Sequence, residues 1–493
     1  MKKLTASPGA VPSSAVSLAA PAGAGSFGLK PGVAAGSAPP LWAVFAVTSL
    51  GAFVVSLDLS IVNVAFPAMA QAFPAANRAE LAWVITAYSI VFGSLLVVGG
   101  RSGDRNGLRR VFFAGLATFT LGSALCGLAP SVAWLIAGRA LQGVGAAFTL
   151  PSSVGLLLAA VPQERRNQTV ALWGGVGALA VATGPSLGAL IVAHAGWRWA
   201  FYVNLPVGAL AWLWGRNVLP NPEPARTASG QRPDYFGALL LSLTVGTLTL
   251  AISEGGSWGW TDPRVVTAAI SAPLLGVLFV LRSSLHPVPV LDLSLFRERS
   301  FAVANLATLA YAMGFFAMLL GNILFLTDVW QYSILRAGMA VTPGPLVVVV
   351  VSGFAGRAAA RVGFRTVLVP GSLFFAAGLA WFATQVGVEP AYLSQWLPGT
   401  LLVGLGIGLT FPVLSAAAVS SLPKERFGVG SAVNQTARQV GGAIGVALLV
   451  VILGTPSTRV EALSHFQQLW LYGAAMAVIS GAVGTLLRPQ PLR

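Results

Sequence analysis

The sequence is short of charge, cysteine and histidine, and each shortage excludes a class of protein. Only 9% of its 493 residues are charged, whereas soluble domains carry about a quarter. The single cysteine, Cys126, excludes an intrachain disulfide and a cysteine metal site. The three histidines show no metal-ligand spacing, and no P-loop pattern is present. We therefore expect no metal, no other cofactor, no ATP hydrolysis and no ordinary cytoplasmic enzyme.

Long apolar runs are what the sequence has in abundance. Hydrophobic residues make up 56% of the chain, and the apolar segments are of about twenty residues, the length that crosses a bilayer. Numbered in chain order, the spans lie near residues 42–66, 80–99, 111–128, 132–158, 169–193, 200–215, 236–253, 265–281, 301–326, 338–356, 366–386, 394–419, 428–453 and 468–487. The sequence thus predicts an all-α integral membrane protein with fourteen transmembrane helices.

The basic residues indicate how the spans are oriented. A net charge of +15 would suggest nucleic acid binding in a soluble protein, but here the charge is spread between spans, so no nucleic acid partner is expected. Most Lys and Arg lie in the termini and in alternate gaps, whereas the remaining gaps hold only Arg78, Arg198, Arg264, Arg336 and Arg459. The positive-inside rule then predicts that both termini are cytoplasmic.

The chain contains an internal repeat. Residues 143–165 match residues 404–426 at a constant offset in their Gly, Thr-x-Pro and Pro-x-Glu-Arg positions, and residues 107–115 match residues 363–371. Spans 1–6 and 9–14 are therefore two copies in the same orientation, and parallel six-span repeats are one architecture of secondary transporters. We expect four parts, which are a disordered tail (1–40), an N-terminal six-helix bundle (41–220), two inserted helices with linkers (221–300) and a C-terminal six-helix bundle (301–493).

A carboxylate and an arginine lie within apolar spans. Asp58 belongs to the stretch Leu57–Pro67 of span 1, and Arg139 begins the stretch 139–143 of span 4. A charge in a span costs roughly 2.5–3.5 kcal/mol on insertion scales and so indicates a function. Asp58 either exchanges protons, because apolar surroundings disfavour its charged form, or lies solvated near the interface and orients Asn63. Arg139 either has an internal partner or extends outward to the membrane surface.

The stretch Gly100–Arg110, predicted as a turn between spans 2 and 3, combines glycines, one acid and several arginines. Glycines permit a tight turn, and Asp104 can accept hydrogen bonds from Arg105 or cap a helix N-terminus. The stretch is either a charged latch that holds one conformation or a turn whose arginines serve topology alone. The latch residues would be Gly100, Asp104, Arg105, Gly107 and Arg109.

Span 5 contains the sequence Gly184-Pro185-Ser186-Leu187-Gly188. Proline removes a backbone donor and bends the helix, and the flanking Gly184 and Gly188 permit close helix contact. The second copy has Val446 in place of Pro185, so repeat packing does not demand the proline. A proline bend alone would be weak evidence, because proline is common in membrane helices.

Further polar and aromatic residues within spans are candidates for the substrate pathway. Arg438 in span 13 has no counterpart in the first copy, where Gly177 stands. Trp173 either lines a pocket or contacts lipid. The candidate pathway residues are Asn63, Gln142, Trp173 and Arg438.

Together, the stretches at 57–67, 100–110, 139–143 and 184–188 resemble the fourteen-helix drug:H⁺ antiporters of the major facilitator superfamily, the QacA/EmrB type. The stretch Trp197–Gly208 also resembles that family's junction between its fifth and sixth helices. The departures are Ser60 for a usual Thr, Ser102 and Leu108 in the second stretch, and Ala189 for a usual Gly. The resemblance runs from about Leu57 to Gly454.

The resemblance implies a multidrug efflux transporter of the bacterial inner membrane that exchanges protons for small, lipophilic molecules by alternating access. It implies that Asp58 and Arg139 couple the proton, that the 184–188 stretch marks an exporter, and that the protein works as a monomer. A facilitator or proton symporter of a small nutrient is the alternative, and a membrane receptor or intramembrane enzyme is disfavoured because no catalytic set lies within the spans. Drug resistance and export of a self-made metabolite both stay open.

Overall fold

The computed structural model describes residues 40–162, 165–222, 234–422 and 426–487, and within them the chain forms helices and turns without a strand. The predicted tail lies outside these residues. The first six spans correspond to α1 (Leu41–Ala72), α2 (Arg78–Asn106), α3 (Leu108–Gly127), α4 (Val132–Ala160), α5 (Arg166–Ala195), the short α6 (Trp199–Tyr202) and α7 (Asn204–Val218). The inserted spans are α8 (Tyr235–Trp258) and α9 (Pro263–Leu285).

The remaining spans correspond to α10 (Arg299–Asp328), α11 (Ile334–Val341), α12 (Pro343–Val362), α13 (Phe364–Gln385), α14 (Leu397–Ser420), α15 (Phe427–Leu453) and α16 (Arg459–Gly484). In the part of the chain that the structure describes, 13 helical segments are long and apolar enough to cross a membrane, with α11 and α12 counted as one segment. The sixth predicted span is α7, which has only 15 residues. The prediction of an all-helical membrane protein is confirmed.

Local sequence fixes where several helices begin. The side chains of Asn77, Ser131, Ser333 and Thr458 accept hydrogen bonds from backbone N–H groups in the first turns of α2, α4, α11 and α16. Such caps supply acceptors for donors that have no partner within the helix. Short polar caps therefore divide a mostly apolar chain into separate helices.

The two copies of the repeat turn in the same way. Gly107 joins α2 to α3 with φ 93°, and Gly363 joins α12 to α13 with φ 91°. Positive φ is readily adopted only by glycine. The match between residues 107–115 and 363–371 thus corresponds to one shared connection geometry.

Equivalent helices also pack on each other in both copies. In the first, α1 packs on α5 and α7, and α4 packs on α2 and α3. In the second, α10 packs on α15 and α16, and α14 packs on α12 and α13. The four-part division of the chain at residues 40, 220 and 300 stays a prediction.

The helix bundle has two ends, which we call the Gly107 face and the Arg78 face. The Gly107 face is the end at which α1 begins and Gly107 joins α2 to α3, and the Arg78 face is the opposite end, at which α1 ends and α2 begins. The positive-inside prediction assigns the Gly107 face to the cytoplasm.

Two interfaces, related by the repeat, join the copies. One is formed by α2 and α15, and α8 packs on both of these helices through Ile90, Val245 and Ala443. Thr436 of α15 donates a hydrogen bond to the carbonyl of Gly93 in α2 at 2.7 Å. The other interface is formed by α5 with α11 and α12. The inserted helix α8 therefore covers only one of the two interfaces.

Candidate functional site

Asp58 and Arg139 form a buried ion pair between α1 and α4. Asp58 is 0% and Arg139 1% exposed, and the Nη1 of Arg139 donates to Oδ2 of Asp58 at 2.5 Å. The Nε of Arg139 donates to the carbonyl of Val84 at 2.9 Å, and its guanidinium lies 4.2 Å from the ring centroid of Tyr88. The alternatives of a solvated Asp58 and an outward-reaching Arg139 are therefore wrong, because both charges face the inside of the helix bundle.

Amide side chains complete the shell of the Asp58 carboxylate. Gln142 and Asn204 each donate through their amide nitrogen to Oδ1 of Asp58 at 3.1 Å. Both amides also donate to the hydroxyl of Ser123, which in turn donates to the carbonyl of Phe201. Each carboxylate oxygen thus has a donor, as buried polar groups require. A proton arriving at Asp58 would leave Arg139 without its counter-ion, so proton uptake requires the pair to separate.

Asn204, Ser123 and Tyr88 are members of this network that the sequence analysis missed. Asn204 begins α7 within the stretch Trp197–Gly208. Because that stretch resembles the family's junction between its fifth and sixth helices, Asn204 could have been selected as a candidate. Ser123 and Tyr88 carry no charge and lie in ordinary apolar runs. No pattern in a single sequence distinguishes them from packing residues.

The glycines of the α5 stretch bring α1 and α5 together. A Cβ at Gly188 would lie 2.6 Å from Cγ1 of Ile61, and a Cβ at Gly184 would collide with Ser60. Pro185 has no backbone N–H, so the carbonyl four residues earlier, that of Val181, loses its helical donor. The hydroxyl of Ser60 donates to that carbonyl at 3.1 Å.

The stretch Gly100–Arg110 is mostly helical, contrary to the predicted turn. Because α2 continues to Asn106 and α3 begins at Leu108, only Gly107 forms the connection. The predicted latch residues Gly100, Asp104 and Arg105 lie in the last two turns of α2. Of the glycines in these turns, Gly103 packs tightly, because a Cβ there would lie 2.9 Å from Cδ2 of Leu108, whereas a Cβ at Gly100 would make an ordinary contact with Pro151 of α4.

The charged members of this stretch make few contacts. Asp104 is exposed and has no hydrogen bond or ion pair among the side chains that the structure describes. Arg109 donates to the carbonyl of Arg216 at 2.5 Å and so ties α3 to the end of α7. The expected bond between Asp104 and Arg105 is absent from the described residues. The latch role itself stays a prediction.

The predicted pathway residues are scattered. Gln142 belongs to the Asp58 network, whereas the amide of Asn63 donates to the carbonyl of Leu59 in its own helix at 2.7 Å. Trp173 donates through Nε1 to the carbonyl of Thr48 at 3.4 Å. Arg438 lies in the second copy, with its guanidinium 4.1 Å from the ring centroid of Phe411.

At the Arg78 face the two copies are closed against each other. Arg78 and Asp328 form an ion pair at 3.1 Å between α2 and α10. The hydroxyls of Ser186 in α5 and Thr342, at the start of α12, are 2.8 Å apart, and a Cβ at Gly338 would lie 2.6 Å from the carbonyl oxygen of Pro185. These contacts pack α5 closely against α11 and the start of α12 at this face.

Towards the Gly107 face the same helices have open space beside them. A Cβ at Gly174 or Gly175 of α5 would meet no described atom within 4 Å, and the same holds for Gly353 and Gly356 of α12. In the described residues, the glycines of α5 and α12 that have close neighbours are Gly177, Gly184, Gly188 and Gly344, and these neighbours lie on α1 and α14. No group of three or more His, Cys, Asp and Glu side chains in the described part of the chain is placed to hold a metal ion.

The described residues form two repeated bundles of apolar helices with a buried ion pair and one closed end, and they show no enzyme-like site. These features define a multi-pass membrane transporter. The sequence profile described as "Major Facilitator Superfamily" matches residues 48–446, and the chain belongs to that superfamily. The predicted membership among its drug-resistance transporters is confirmed by its curated relatives.

The chain is similar to curated drug-resistance proteins. It is 34% identical over 409 residues to the Multidrug resistance protein Stp of Mycobacterium tuberculosis, covering 82% of this chain and 74% of that protein. It is 31% identical over 415 residues to the Tetracenomycin C resistance and export protein of Streptomyces glaucescens, covering 84% of this chain and 76% of that protein.

A solved structure shares the fold. The crystal structure of an auto-inhibited POT family peptide transporter matches with a TM-score of 0.67 and 18% identity, covering 92% of this chain and 98% of that chain. At this identity the match concerns the fold alone.

Proposed function

We propose that this protein is a proton-coupled exporter of small, lipophilic molecules in the bacterial inner membrane, working as a monomer with both termini in the cytoplasm. The observation that carries the proposal is the buried pair of Asp58 and Arg139 between α1 and α4. Charges are costly inside a membrane and generally mark transport or proton pathways. The names of the relatives, which include resistance and export, support the outward direction.

The proposed cycle alternates between two arrangements of the halves. If the Gly107 face is cytoplasmic, the inward-facing state fits closure by Arg78 and Asp328 at the Arg78 face together with the open space beside the glycines of α5 and α12 towards the Gly107 face. In that state Asp58 has given its proton to the cytoplasm and is paired with Arg139. Substrate enters from the cytoplasm or inner leaflet and binds among α1, α4, α5, α10, α14 and α15.

Return of the proton drives the second half of the cycle. In the outward-facing state a proton reaches the Asp58 oxygen that Arg139 occupies here, and Arg139 then turns to carbonyl or substrate acceptors. The stretch Gly100–Arg110 stabilises one of the two states, and the bend at Pro185 seals α5 against α1. Protonation and substrate release are thereby linked through one carboxylate.

The proposal is tested in inverted membrane vesicles with an imposed pH gradient and a panel of lipophilic dyes. Wild type moves at least one dye only with the gradient, and Asp58→Asn abolishes this movement while dye binding persists. Asp292→Asn is the matched control, because this carboxylate pairs with Arg426 outside the spans and its loss leaves coupling intact.

A specific observation favours a second candidate, a facilitator of a small nutrient, over the proton symporter that is the other alternative. Both oxygens of Asp58 are held by donors in a closed network, as suits a purely structural ion pair. A facilitator predicts that wild type moves substrate equally well without a gradient. That result would replace the exporter proposal, and gradient-driven uptake in the opposite direction would indicate the symporter.

A further inference from the structure

Arg438 is a second arginine inside a span, and it has a different environment from Arg139. It lies near the middle of α15 and is half-buried. The neighbouring Gln439 is 1% exposed and packs against Gly93 of α2, at the interface between the two copies. Arg438 thus lies on the helix that forms this interface, and its guanidinium contacts Phe411 of α14; the meeting of the two halves is the usual position of a substrate site.

Arg438 has no counter-ion in the described residues. None of the ion pairs there includes it, and its Nε is shielded from solvent without a hydrogen-bond partner. The amide nitrogen of Gln439 is likewise buried without a partner. Unpartnered buried donors carry a desolvation cost that an incoming acceptor would remove.

The buried acids of the described residues already have partners. Asp58 is bound by Arg139, Asp234 pairs with Arg282, and the carboxylate of Glu254 accepts from the hydroxyl of Ser257 at 2.6 Å. The positive charge of Arg438 is therefore not balanced by the described part of the protein. A cationic substrate beside it would add like charge in a medium of low dielectric constant.

An aromatic wall stands beside this charge. The ring of Phe411 lies against the guanidinium, with centroids of Tyr311 and Phe315 each 5.0 Å from that of Phe411. The ring of Tyr311 is also 4.8 Å from that of Phe375. These rings form a buried cluster of which Phe411 is the member beside Arg438, and an aromatic ring favours planar, conjugated groups through offset or edge-to-face contacts.

We propose that Arg438 binds the acidic group of the transported molecule, and that the substrates are lipophilic aromatic acids bearing a carboxylate or a similar planar oxyanion. The guanidinium fork matches a carboxylate in bidentate geometry, which an ammonium group does not. The ring of Phe411 contacts the aromatic part, and Tyr311 and Phe315 support that ring from within the core. This inference rests on the proposed transport function and adds the chemical class of its substrate.

The test is binding to the purified full-length protein in detergent, measured by calorimetry without any gradient. The probes are 2-naphthoic acid, 1-pyrenebutyric acid and fluorescein, each beside its methyl ester, with ethidium as a lipophilic cation. Wild type binds at least one acid more tightly than its ester. Arg438→Gln weakens binding of that acid about tenfold or more, as expected for loss of a charged hydrogen bond, and leaves the ester unchanged.

Two further variants keep the result interpretable. Arg438→Lys retains the charge without the fork and gives an intermediate affinity, which also decides the question if Arg438→Gln does not fold. Arg357→Gln is the matched control, since this arginine also lies near a phenylalanine ring, at 5.8 Å from the centroid of Phe354, but is exposed.

The inference is overturned if wild type prefers no acid over its ester, if it binds only ethidium, or if Arg438→Gln weakens acid and ester equally. Failure of the proposed function is distinguishable from these outcomes. It shows as acid binding that depends on Arg438 while transport in vesicles ignores the proton gradient.

Discussion

The hydroxyl of Ser60 in α1 donates a hydrogen bond to the carbonyl of Val181 in α5. That carbonyl is the acceptor that Pro185 leaves without a donor, because proline lacks the N–H that would have bonded four residues back. The carbonyl that Pro185 leaves without a donor in α5 is thus bonded by a neighbouring helix, and Gly184 permits the close approach of Ser60. The proline, the glycine and the serine form one unit that spans two helices.

Ser60→Ala is expected to destabilise the protein by about 1–3 kcal/mol, because a buried carbonyl loses its donor. The measurement is the free energy or midpoint of unfolding in detergent. Ser60→Thr keeps the hydroxyl and is expected to unfold near wild type. Ser56→Ala, one turn earlier on α1, is the matched control. An equal loss of stability in Ser56→Ala and Ser60→Ala would contradict the assignment.

Arg139→Gln is expected to cost about 3–5 kcal/mol, because it leaves the Asp58 carboxylate buried without its counter-ion. The double variant Asp58→Asn/Arg139→Gln removes both charges and is expected to be more stable than Arg139→Gln alone. Thermal unfolding of the two single variants and the double variant measures the coupling energy. Additive effects would show that the two side chains do not interact in the folded protein.

Gly338→Leu is expected to open the Arg78 face. The added side chain would meet the carbonyl of Pro185, and overpacking of this kind costs about 1–3 kcal/mol. A cost borne only by the closed state shifts the ratio of the two states by roughly 5–150-fold. Spin labels at Gln71→Cys and Arg336→Cys, both exposed, measure this shift as a longer distance.

The single native cysteine simplifies this experiment. Cys126→Ser provides the background, since Cys126 is buried and its thiol only donates to Gln142 and Leu135. Gly256→Leu in the inserted helix α8 is the control, because a side chain there enters open space away from α5, α11 and α12. A distance distribution that changes equally in both variants would refute closure through Gly338.

The sequence predicts the helical spans well because burial in lipid demands about twenty apolar residues for each crossing. It also identifies Asp58 and Arg139, because a charge within an apolar run is conspicuous. The structure adds that these two meet, which no spacing between residues of different helices reveals. Asn204 could not be predicted from polarity alone, because a polar residue is common at the start of a helix.

Glycine was the least predictable residue. The glycines of the stretch Gly100–Arg110 indicate a turn when read alone, yet only Gly107 has positive φ. Gly103 lies within α2, where a Cβ would be 2.9 Å from Cδ2 of Leu108. In a membrane protein the same residue serves turns and close helix contact, and only the fold decides between them.

Because α8 packs over α2 and α15, the two interfaces between the copies differ in how they are covered on the lipid side. Ile90, Val245 and Ala443 close the interface on that flank, whereas α5 and α12 have no inserted helix beside their interface. In the proposed cycle, a molecule dissolved in the bilayer leaflet would reach the α5–α12 flank without meeting an inserted helix. Partition into that leaflet would then concentrate substrates, and solubility in lipid would select among them before any side chain contacts them.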